Sequence, residues 1–381
     1  SRASGSSSTI DSSSLFLAPG AHVTMPLQSA HVFASHIGHT GKTTLCFQMS
    51  SYYAKRHPDI CVLVMDLAEE GDLTKRFLGG VDAAHEKVDA LYGGVFQLIR
   101  DAERKTTGLT SWLWSRDVDF SECATQVSQH NPAVPPNLYL VSSGAWPRQE
   151  KEMTSEERKR LCAKVKESLS KSAATWKIFC DTDGDRRPSS FTMIGYGLCE
   201  HAIVPLHCNK ADMDRTETML GVMQALRLQG EISTQVLFVV WNFVKSLKDE
   251  ACVHNGSALP FTPSKINLDI LDACNKRLFK VSNDLPGLFV HDEADQPTFI
   301  ENGTAVLKLL ADNVLKPSEE LGLPFVEMSD RLHTSGKKSM KFKSGSVEYV
   351  TKDDTIEGVA DALGLIEFKF EAMSISSRGG A

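Results

Sequence analysis

The sequence lacks paired cysteines, so it contains no recognisable thiolate metal site. Nine cysteines are scattered over 381 residues, and no two of them form a CxxC pair. An odd count without metal-binding spacing also argues against a disulfide framework, and it indicates reduced thiols inside a cell. We therefore expect a cytoplasmic protein, with import into an organelle as an open alternative.

Long apolar runs and an excess of positive charge are also absent. No apolar stretch reaches the roughly 18 residues that a membrane-spanning helix needs, so no transmembrane segment is predicted. The formal net charge is −7, which excludes a global positive field that would attract nucleic acid. A basic run at residues 337–343 predicts a solvated loop or hairpin, or else a contact for a phosphate backbone or an acidic partner.

The two ends of the chain differ in composition from the rest. The first residues, SRASGSSSTIDSSS, are rich in serine and begin without methionine. We expect residues 1–25 to be a disordered tail, whether a tag, a linker or the remnant of a processed leader, and residues 375–381 to be a second one. Between them we expect a main domain over residues 26–315, with an insertion near residues 80–136, and a C-terminal extension over residues 316–374.

The most informative segment is a glycine-containing turn between a short apolar strand, residues 31–35, and a helix that begins near Thr44. Backbone N–H groups and the partial positive charge of a helix N-terminus make such a turn a phosphate-binding site. We predict that Lys42 reaches the β- and γ-phosphates of a nucleotide and that the Thr43 hydroxyl binds Mg²⁺. The residues predicted to hold the nucleotide here are Gly38, His39, Thr40, Gly41, Lys42, Thr43 and Thr44.

This loop departs from the usual pattern, which has a glycine six residues before the lysine. Here that position is His36, and the nearest preceding glycine is Gly38. The strand before the loop and the helix after it still supply the structural context that the motif requires.

Apolar strands alternate with helices along the rest of the chain. This order predicts an α/β fold with a mostly parallel, twisted sheet and helices on both faces. Ligands of such sheets bind beyond the carboxyl ends of the strands, and Asp66, Asp181 and Asn242 all lie at such ends. The predicted strands are residues 60–65, 137–141, 176–180, 201–206, 235–241 and 288–291, and the predicted helices include residues 155–172 and 215–228.

Two acidic residues at strand ends are predicted to serve the phosphate site. Asp181 follows the apolar run KIFC and would face Thr43 across Mg²⁺. Asp66 follows the strand after the loop helix and would approach the γ-phosphate and the metal. Glu69, in the next loop, is a candidate for orienting the attacking water, although a solvated carboxylate is the plainer interpretation.

A second motif points to a different nucleotide. Asn209-Lys210-Ala211-Asp212 matches the guanine-reading NKxD sequence of GTPases, and residues 181–184 match their DxxG. The two matches lie one strand too close together in the chain for a GTPase, so we interpret the NKxD match as a coincidence. Asn242, which ends the next strand, is better placed to meet the base.

The order of these motifs resembles the ParA/MinD family of P-loop ATPases over roughly residues 30–310. The family's KGGxGKTT loop corresponds to residues 37–44, and its DxDPQGN-like run corresponds to residues 66–74. The resemblance implies the P-loop NTPase fold of that family, with ATP or ADP and Mg²⁺ as ligands. It places Thr43, Asp66 and Asp181 at the metal and Asn242 at the adenine, and the catalytic candidates are Lys42, Asp66, Asp181 and Glu69.

The chain departs from this family at two positions. The signature lysine, which reaches into the partner's site of an ATP-bound dimer, is Ile37 here, and this puts a homodimer in doubt. The aspartate that positions the attacking water is Ala68 here, which implies slow hydrolysis unless Glu69 replaces it.

Three functions follow as expectations from the motifs and the resemblance. The first is a Mg-ATP-dependent switch for partitioning or positioning DNA or a large assembly, with a weak ATPase activity and a DNA or protein partner. The second is a structural or scaffold protein that keeps the fold but has lost efficient hydrolysis. The third is a GTPase of the same broad class.

Overall fold

The computed structural model describes residues 27–87, 123–143, 152–184, 187–254, 257–293 and 295–352, with a few residues beyond these ranges (94, 95, 98, 99, 356, 362–364, 366 and 367). The two predicted tails, and most of the predicted insertion near residues 80–136, lie outside the described residues.

The described residues form alternating strands and helices, and strongly apolar segments supply the inner strands. The strands are β1 (Ser29–Phe33), β2 (Ile60–Asp66), β3 (Thr125–Gln126), β4 (Leu138–Val141), β5 (Thr175–Asp181), β6 (His201–His207), β7 (Gln235–Val244), β8 (Ser246–Lys248), β9 (Cys252–His254), β10 (Ser257–Leu259), β11 (Thr262–Pro263), β12 (Thr304–Lys308), β13 (Ser339–Ser344) and β14 (Val347–Lys352). The helices are α1 (Lys42–Arg56), α2 (Asp72–Phe77), α3 (Val81–Lys87), α4 (Ser155–Ser170), α5 (Ser190–Leu198), α6 (Lys210–Leu228), α7 (Lys265–Asp284), α8 (Gln296–Gly303), α9 (Asp312–Leu321) and α10 (Phe325–Ser335).

Eight of the strands form one sheet in the order β12-β7-β6-β1-β5-β2-β4-β3. Its neighbouring strands run parallel, except that β3 runs antiparallel to β4 at one edge. The predicted α/β fold with a mostly parallel sheet is therefore confirmed. β1 lies between β5 and β6, so the strand order reverses beside it, and ligands of open α/β sheets bind at such a point.

Helices cover both faces of the sheet, which explains why its strands are apolar at nearly every position. Successive residues of a strand point to opposite faces. Val32 and Leu63 therefore pack in one core with α4, α5, α6 and α7, whereas Phe33 and Val64 pack in a second core with α1 and α10.

Two predicted elements differ from the structure for identifiable reasons. The strand expected at residues 288–291 forms only a single bridge, between Phe289 and Val236. Farther along, the same side of β7 pairs with β12, from Val239 to Val244, so little of it is left for a second strand. β12 itself was not predicted, because TAVLK is a short and only partly apolar segment.

The C-terminal part of the chain packs onto the face that carries α1. Phe325 and Met328 of α10 lie in the same core as Phe47 of α1. The basic run at residues 337–343 falls mostly within β13, which pairs with β14 as an antiparallel hairpin. The predicted domain boundary after residue 315 falls inside α9, and the division into domains remains a prediction. Within the described ranges, no helix combines the length and the apolar character needed to cross a membrane.

Candidate functional site

The loop between β1 and α1 lies at the switch point of the sheet. Gly41 directly precedes α1 and has a left-handed backbone, with φ 88°. A Cβ at this position would overlap the Asn242 side-chain amide and touch the Phe243 ring. Gly41 is therefore required by both its backbone conformation and its surroundings. His39 also has a positive φ, 63°, and its side chain is exposed.

The ammonium group of Lys42 is turned into this loop. Its Nζ donates to the Ser35 hydroxyl at 3.0 Å and to the Ile37 carbonyl at 3.3 Å. The Ser35 hydroxyl also accepts from Thr40 Oγ1 at 3.0 Å and donates to the Ile37 carbonyl at 2.6 Å. Lys42 is only 6% exposed, so its positive charge is held inside the loop beside the N-terminus of α1.

Asp66 and Asp181 lie side by side at the carboxyl edge of the sheet. They are register partners on β2 and β5, and Asp181 is also the partner of Phe33, the last residue of β1. Both carboxylates are fully buried. Two acids and the loop lysine thus meet at one sheet edge, where a ligand is expected.

The two acids differ in how their charges are satisfied. Asp66 Oδ2 accepts from the backbone N–H and the hydroxyl of Thr74, at 2.8 and 2.6 Å, and Oδ1 accepts from Ala68 N at 3.3 Å. Neither carboxylate oxygen of Asp181, by contrast, accepts a well-formed hydrogen bond among the described residues, and the Thr43 hydroxyl acts on the carboxylate only as a weak donor. Burial and the neighbouring Asp66 raise the pKa of Asp181 to about 7, against the opposing influence of Lys42, Thr43 and Arg76.

A buried carboxylate without a well-formed hydrogen bond indicates a cation site. Hard cations such as Mg²⁺ take oxygen ligands, and in nucleotide sites they use one or two carboxylates together with the phosphates. The Asp181 carboxylate and the Thr43 hydroxyl act on each other, and Asp66 lies next to them. This donor set fits Mg²⁺.

The fold resembles those of the solved McdA and ParA structures. McdA of Cyanothece, in the structure of a single-residue variant in complex with ATP, matches with a TM-score of 0.54 and 17% identity over 89% of this chain and 97% of the McdA chain. Apo McdA of Cyanothece matches with a TM-score of 0.52 and 16% identity over 88% and 99%. The pnob8 ParA matches with a TM-score of 0.53 and 12% identity over 90% and 99%.

This chain has the α/β fold of the solved McdA and ParA structures. No protein-family profile matches the sequence, and no curated protein matches it significantly. At such low identities the likeness establishes the fold, and the chemistry of the site has to be argued from its own residues.

Both departures from the ParA/MinD pattern lie close to the acids. Ile37 is partly buried, and its backbone packs against Gly184 so closely that a Cβ on Gly184 would overlap it. Ala68 is 8% exposed and presents only a methyl group. Glu69 is exposed, and its backbone N–H donates to Asp183 Oδ1 at 2.8 Å. The loops that follow β2 and β5 thus hold one another next to the phosphate loop.

Side chains from the ends of β6 and β7 lie beside the loop, where Asn242 and Phe243 contact Gly41. Asn242 does not point freely into the site, because Nδ2 donates to the Thr40 carbonyl at 3.0 Å and Oδ1 accepts from Phe243 N at 2.9 Å. Phe243 has a φ of 58°, an uncommon conformation for a bulky residue. Its ring stacks on His207, with centroids 4.9 Å apart, so two aromatic faces lie beside the loop.

The NKxD match has a structural role here. Asn209 caps α6, because its side chain accepts from Asp212 N at 2.9 Å. The Asp212 carboxylate is 2.6 Å from His207 Nδ1 and also accepts from Arg215 at 3.2 Å. The carboxylate that would read guanine in a GTPase is therefore engaged by its own neighbours.

Sequence reasoning missed several residues of the site, namely Ser35, Thr74, Arg76, His207 and Phe243. Ser35 and His207 carry a weak signal, since each is a polar residue directly after an apolar strand segment. Thr74 and Arg76 carry no such signal. They lie on α2, and the sequence does not define the path of the loop that leads to this helix.

Proposed function

We propose that this protein is a Mg-ATP-dependent switch of the ParA/MinD type. It would partition or position DNA or a large assembly, and it would hydrolyse ATP slowly. Gly38 to Thr44 would bind the phosphates, Thr43 and Asp181 would hold Mg²⁺, and Asp66 would lie beside the metal.

The observation that carries this proposal is the unsatisfied carboxylate of Asp181. A buried acid without a well-formed hydrogen bond costs folding free energy, so its presence next to Thr43 and Lys42 favours a ligand there. Mg²⁺ bound with a nucleotide would neutralise the charge that develops on the phosphates. McdA, one of the similar structures, was solved with ATP, which supports a nucleotide as the ligand here.

The residues of this chain have distinct tasks in such a site. Lys42 would exchange Ser35 and the Ile37 carbonyl for phosphate oxygens. Asp66 would keep its bonds to Thr74 and so fix the loop after β2. Ala68 offers no group to orient a water molecule, and the exposed Glu69 is the remaining acid nearby, which accounts for slow turnover.

The first test is ATP binding by the full chain, measured by calorimetry with and without Mg²⁺. We expect Mg²⁺-dependent binding that Lys42→Ala weakens by roughly 100-fold or more, because a buried charge-assisted contact to phosphate is lost. Lys210→Ala is the matched control, since Lys210 is exposed on α6 and belongs to the NKxD match. An unchanged affinity in Lys42→Ala would refute the proposal.

A scaffold protein without turnover is the second candidate, and Ala68 favours it. It predicts nucleotide binding with no hydrolysis above background. Hydrolysis that is measurable and disappears in Asp181→Ala would exclude this candidate. A GTPase is less well supported, because Asp212 already interacts with His207 and Arg215. Parallel titrations with ATP and GTP analogues decide between the two nucleotides.

The partner is addressed by the same assay with DNA added. A switch that acts along nucleic acid should change its ATP turnover or its oligomeric state when DNA is present. Light scattering with ATP tests the homodimer, which Ile37 puts in doubt because the bridging lysine is replaced.

A further inference from the structure

Arg76 places a second buried cation at the phosphate loop. It lies on α2, and its side chain is only 14% exposed. Nη1 donates to the Thr44 hydroxyl at 2.9 Å, and Nη2 donates to Glu319 Oε1 of α9 at 3.0 Å. The guanidinium group therefore joins the first turn of α1 to the C-terminal part of the chain.

This position lies within the proposed phosphate site. Thr44 directly follows Thr43 and belongs to the first turn of α1, whose N–H groups and dipole attract anions. A guanidinium group binds phosphate oxygens in a planar, bidentate geometry.

A second cation is compatible with the charges expected at the site. A nucleoside triphosphate carries several negative charges, and Lys42 supplies a single positive charge to the loop. Among P-loop proteins, a second cation at the phosphates, from the same chain or from a partner, raises turnover by about 10³- to 10⁵-fold. Arg76 is a cation of the same chain that already touches the loop helix.

We propose that Arg76 is a second phosphate-binding residue, supplied in cis, and that Glu319 holds its guanidinium group until a nucleotide arrives. This inference rests on the proposed function, since it needs a nucleotide at Gly38 to Thr44. Exchange between Glu319 and a phosphate would link the nucleotide state to α9.

Glu319 is well fixed for this role, because α9 and α10 are tied to α1 by other contacts. Gln48 Nε2 donates to Ser318 Oγ at 2.6 Å, and Gln48 Oε1 accepts from Phe325 N at 2.7 Å. All three groups are buried. A Cβ on Gly322 would overlap the Arg76 carbonyl, so the backbones of α2 and the α9–α10 turn are in direct contact. The exchange therefore requires movement of the Arg76 side chain, while the helices keep their packing.

The test compares Arg76→Gln with Glu319→Gln, because both remove the ion pair and only one removes the cation. The affinities for ATP, ADP, AMP and inorganic phosphate are measured by calorimetry with Mg²⁺, next to the melting temperature. We expect Arg76→Gln to weaken ATP binding by about tenfold or more. Glu319→Gln should strengthen ATP binding by a few-fold, because it releases Arg76. Lys75→Gln, on the same helix, is the control for charge loss and should leave the affinity unchanged.

The possible results distinguish a failure of the proposed function from a failure of the inference about Arg76. A wild-type protein that binds no nucleotide overturns the proposed function, and this inference with it. Wild-type binding that Arg76→Gln leaves unchanged, or that both variants weaken equally, overturns the inference alone and leaves Arg76 as a structural ion pair. If Arg76→Gln does not fold, the effect of Glu319→Gln and of the charge-retaining Arg76→Lys decides. Arg76→Lys keeps the charge but loses the bidentate geometry, so it should weaken ATP binding by a few-fold. An unchanged or weakened affinity in Glu319→Gln contradicts the proposal.

Discussion

The half of the candidate site that we propose to bind phosphate (the phosphate half, at the ends of β1, β2 and β5) differs from the half that we propose to bind the base (the base half, at the ends of β6 and β7). In the phosphate half, Asp181 is buried without a well-formed hydrogen bond among the described residues, and Lys42 bonds to its own loop. In the base half, Asn242 and Asp212 are already satisfied by protein groups. The phosphate half is prepared for a ligand, whereas the base half offers mainly the aromatic faces of His207 and Phe243.

This difference indicates which contacts should provide most of the affinity for a nucleotide. Phosphate and metal contacts involve charges and do not depend on the base, so changes there should affect ATP and GTP alike. Stacking tolerates any base, because every base has a π-face. Substitutions of His207 or Phe243 should therefore have smaller effects on nucleotide affinity. They should alter the ratio of the ATP and GTP affinities only through nearby hydrogen bonds.

The largest effect is expected from Asp181→Asn. A neutral amide oxygen is a weaker ligand of Mg²⁺ than a carboxylate, so the affinities for Mg-ATP and Mg-GTP should both fall by roughly 100-fold. Without ligand the variant should melt at a higher temperature at pH 8, because a charge that is costly to bury is gone. Calorimetry and thermal melts at pH 8 test both effects, and Asp183→Asn in the adjoining loop is the control.

Lowering the pH should act on the phosphate half through Asp181. The raised pKa of Asp181, about 7, means that Mg²⁺ must displace a proton below that pH, so Mg-ATP affinity should fall by up to about tenfold from pH 7 to pH 6. The unliganded protein should respond in the opposite direction. The folded state takes up a proton more readily than the unfolded state, so the contribution of Asp181 to stability is present at low pH and is lost as the pH rises through about 7. Asp181→Asn should abolish both trends.

Ala68→Asp tests whether the residue at position 68 alone accounts for slow ATP hydrolysis. It restores an acid next to the metal site, and we expect ATP turnover to rise by about tenfold. The melting temperature should fall, because a third carboxylate joins Asp66 and Asp181 in a buried region. Ala68→Asn is the matched control for size. Equal ATP turnover in Ala68→Asp and Ala68→Asn would contradict a role for an acid at position 68 as a general base.

The smallest effect is expected from Phe243→Leu. It keeps an apolar side chain but removes the ring that faces His207, so ATP affinity should fall by roughly fivefold. Inorganic phosphate, which has no base, should bind the variant as it binds the wild type. A loss of phosphate affinity would show that Phe243 supports Gly41 and the loop, and that the two halves of the site are not separate.

The sequence was sufficient for features that depend on local pattern. Apolar strands, and the acids at the ends of β2 and β5, were visible because each strand is a continuous apolar run. Asn is a common N-cap residue, but Asn209 was interpreted only as part of the NKxD match, so its capping role was not predicted. The helix α6 starts at Lys210 instead of the predicted Arg215. Arg76 could not be found, since its contacts with Thr44 and Glu319 join segments that are distant in the chain.

The bonds that Lys42 makes with its own loop have a consequence for rates. A phosphate cannot take the ammonium group until its contacts with Ser35 and the Ile37 carbonyl open. Opening of these contacts should then limit the rate of nucleotide association. In stopped-flow experiments the observed rate should level off at high nucleotide concentration, at the speed with which the loop opens.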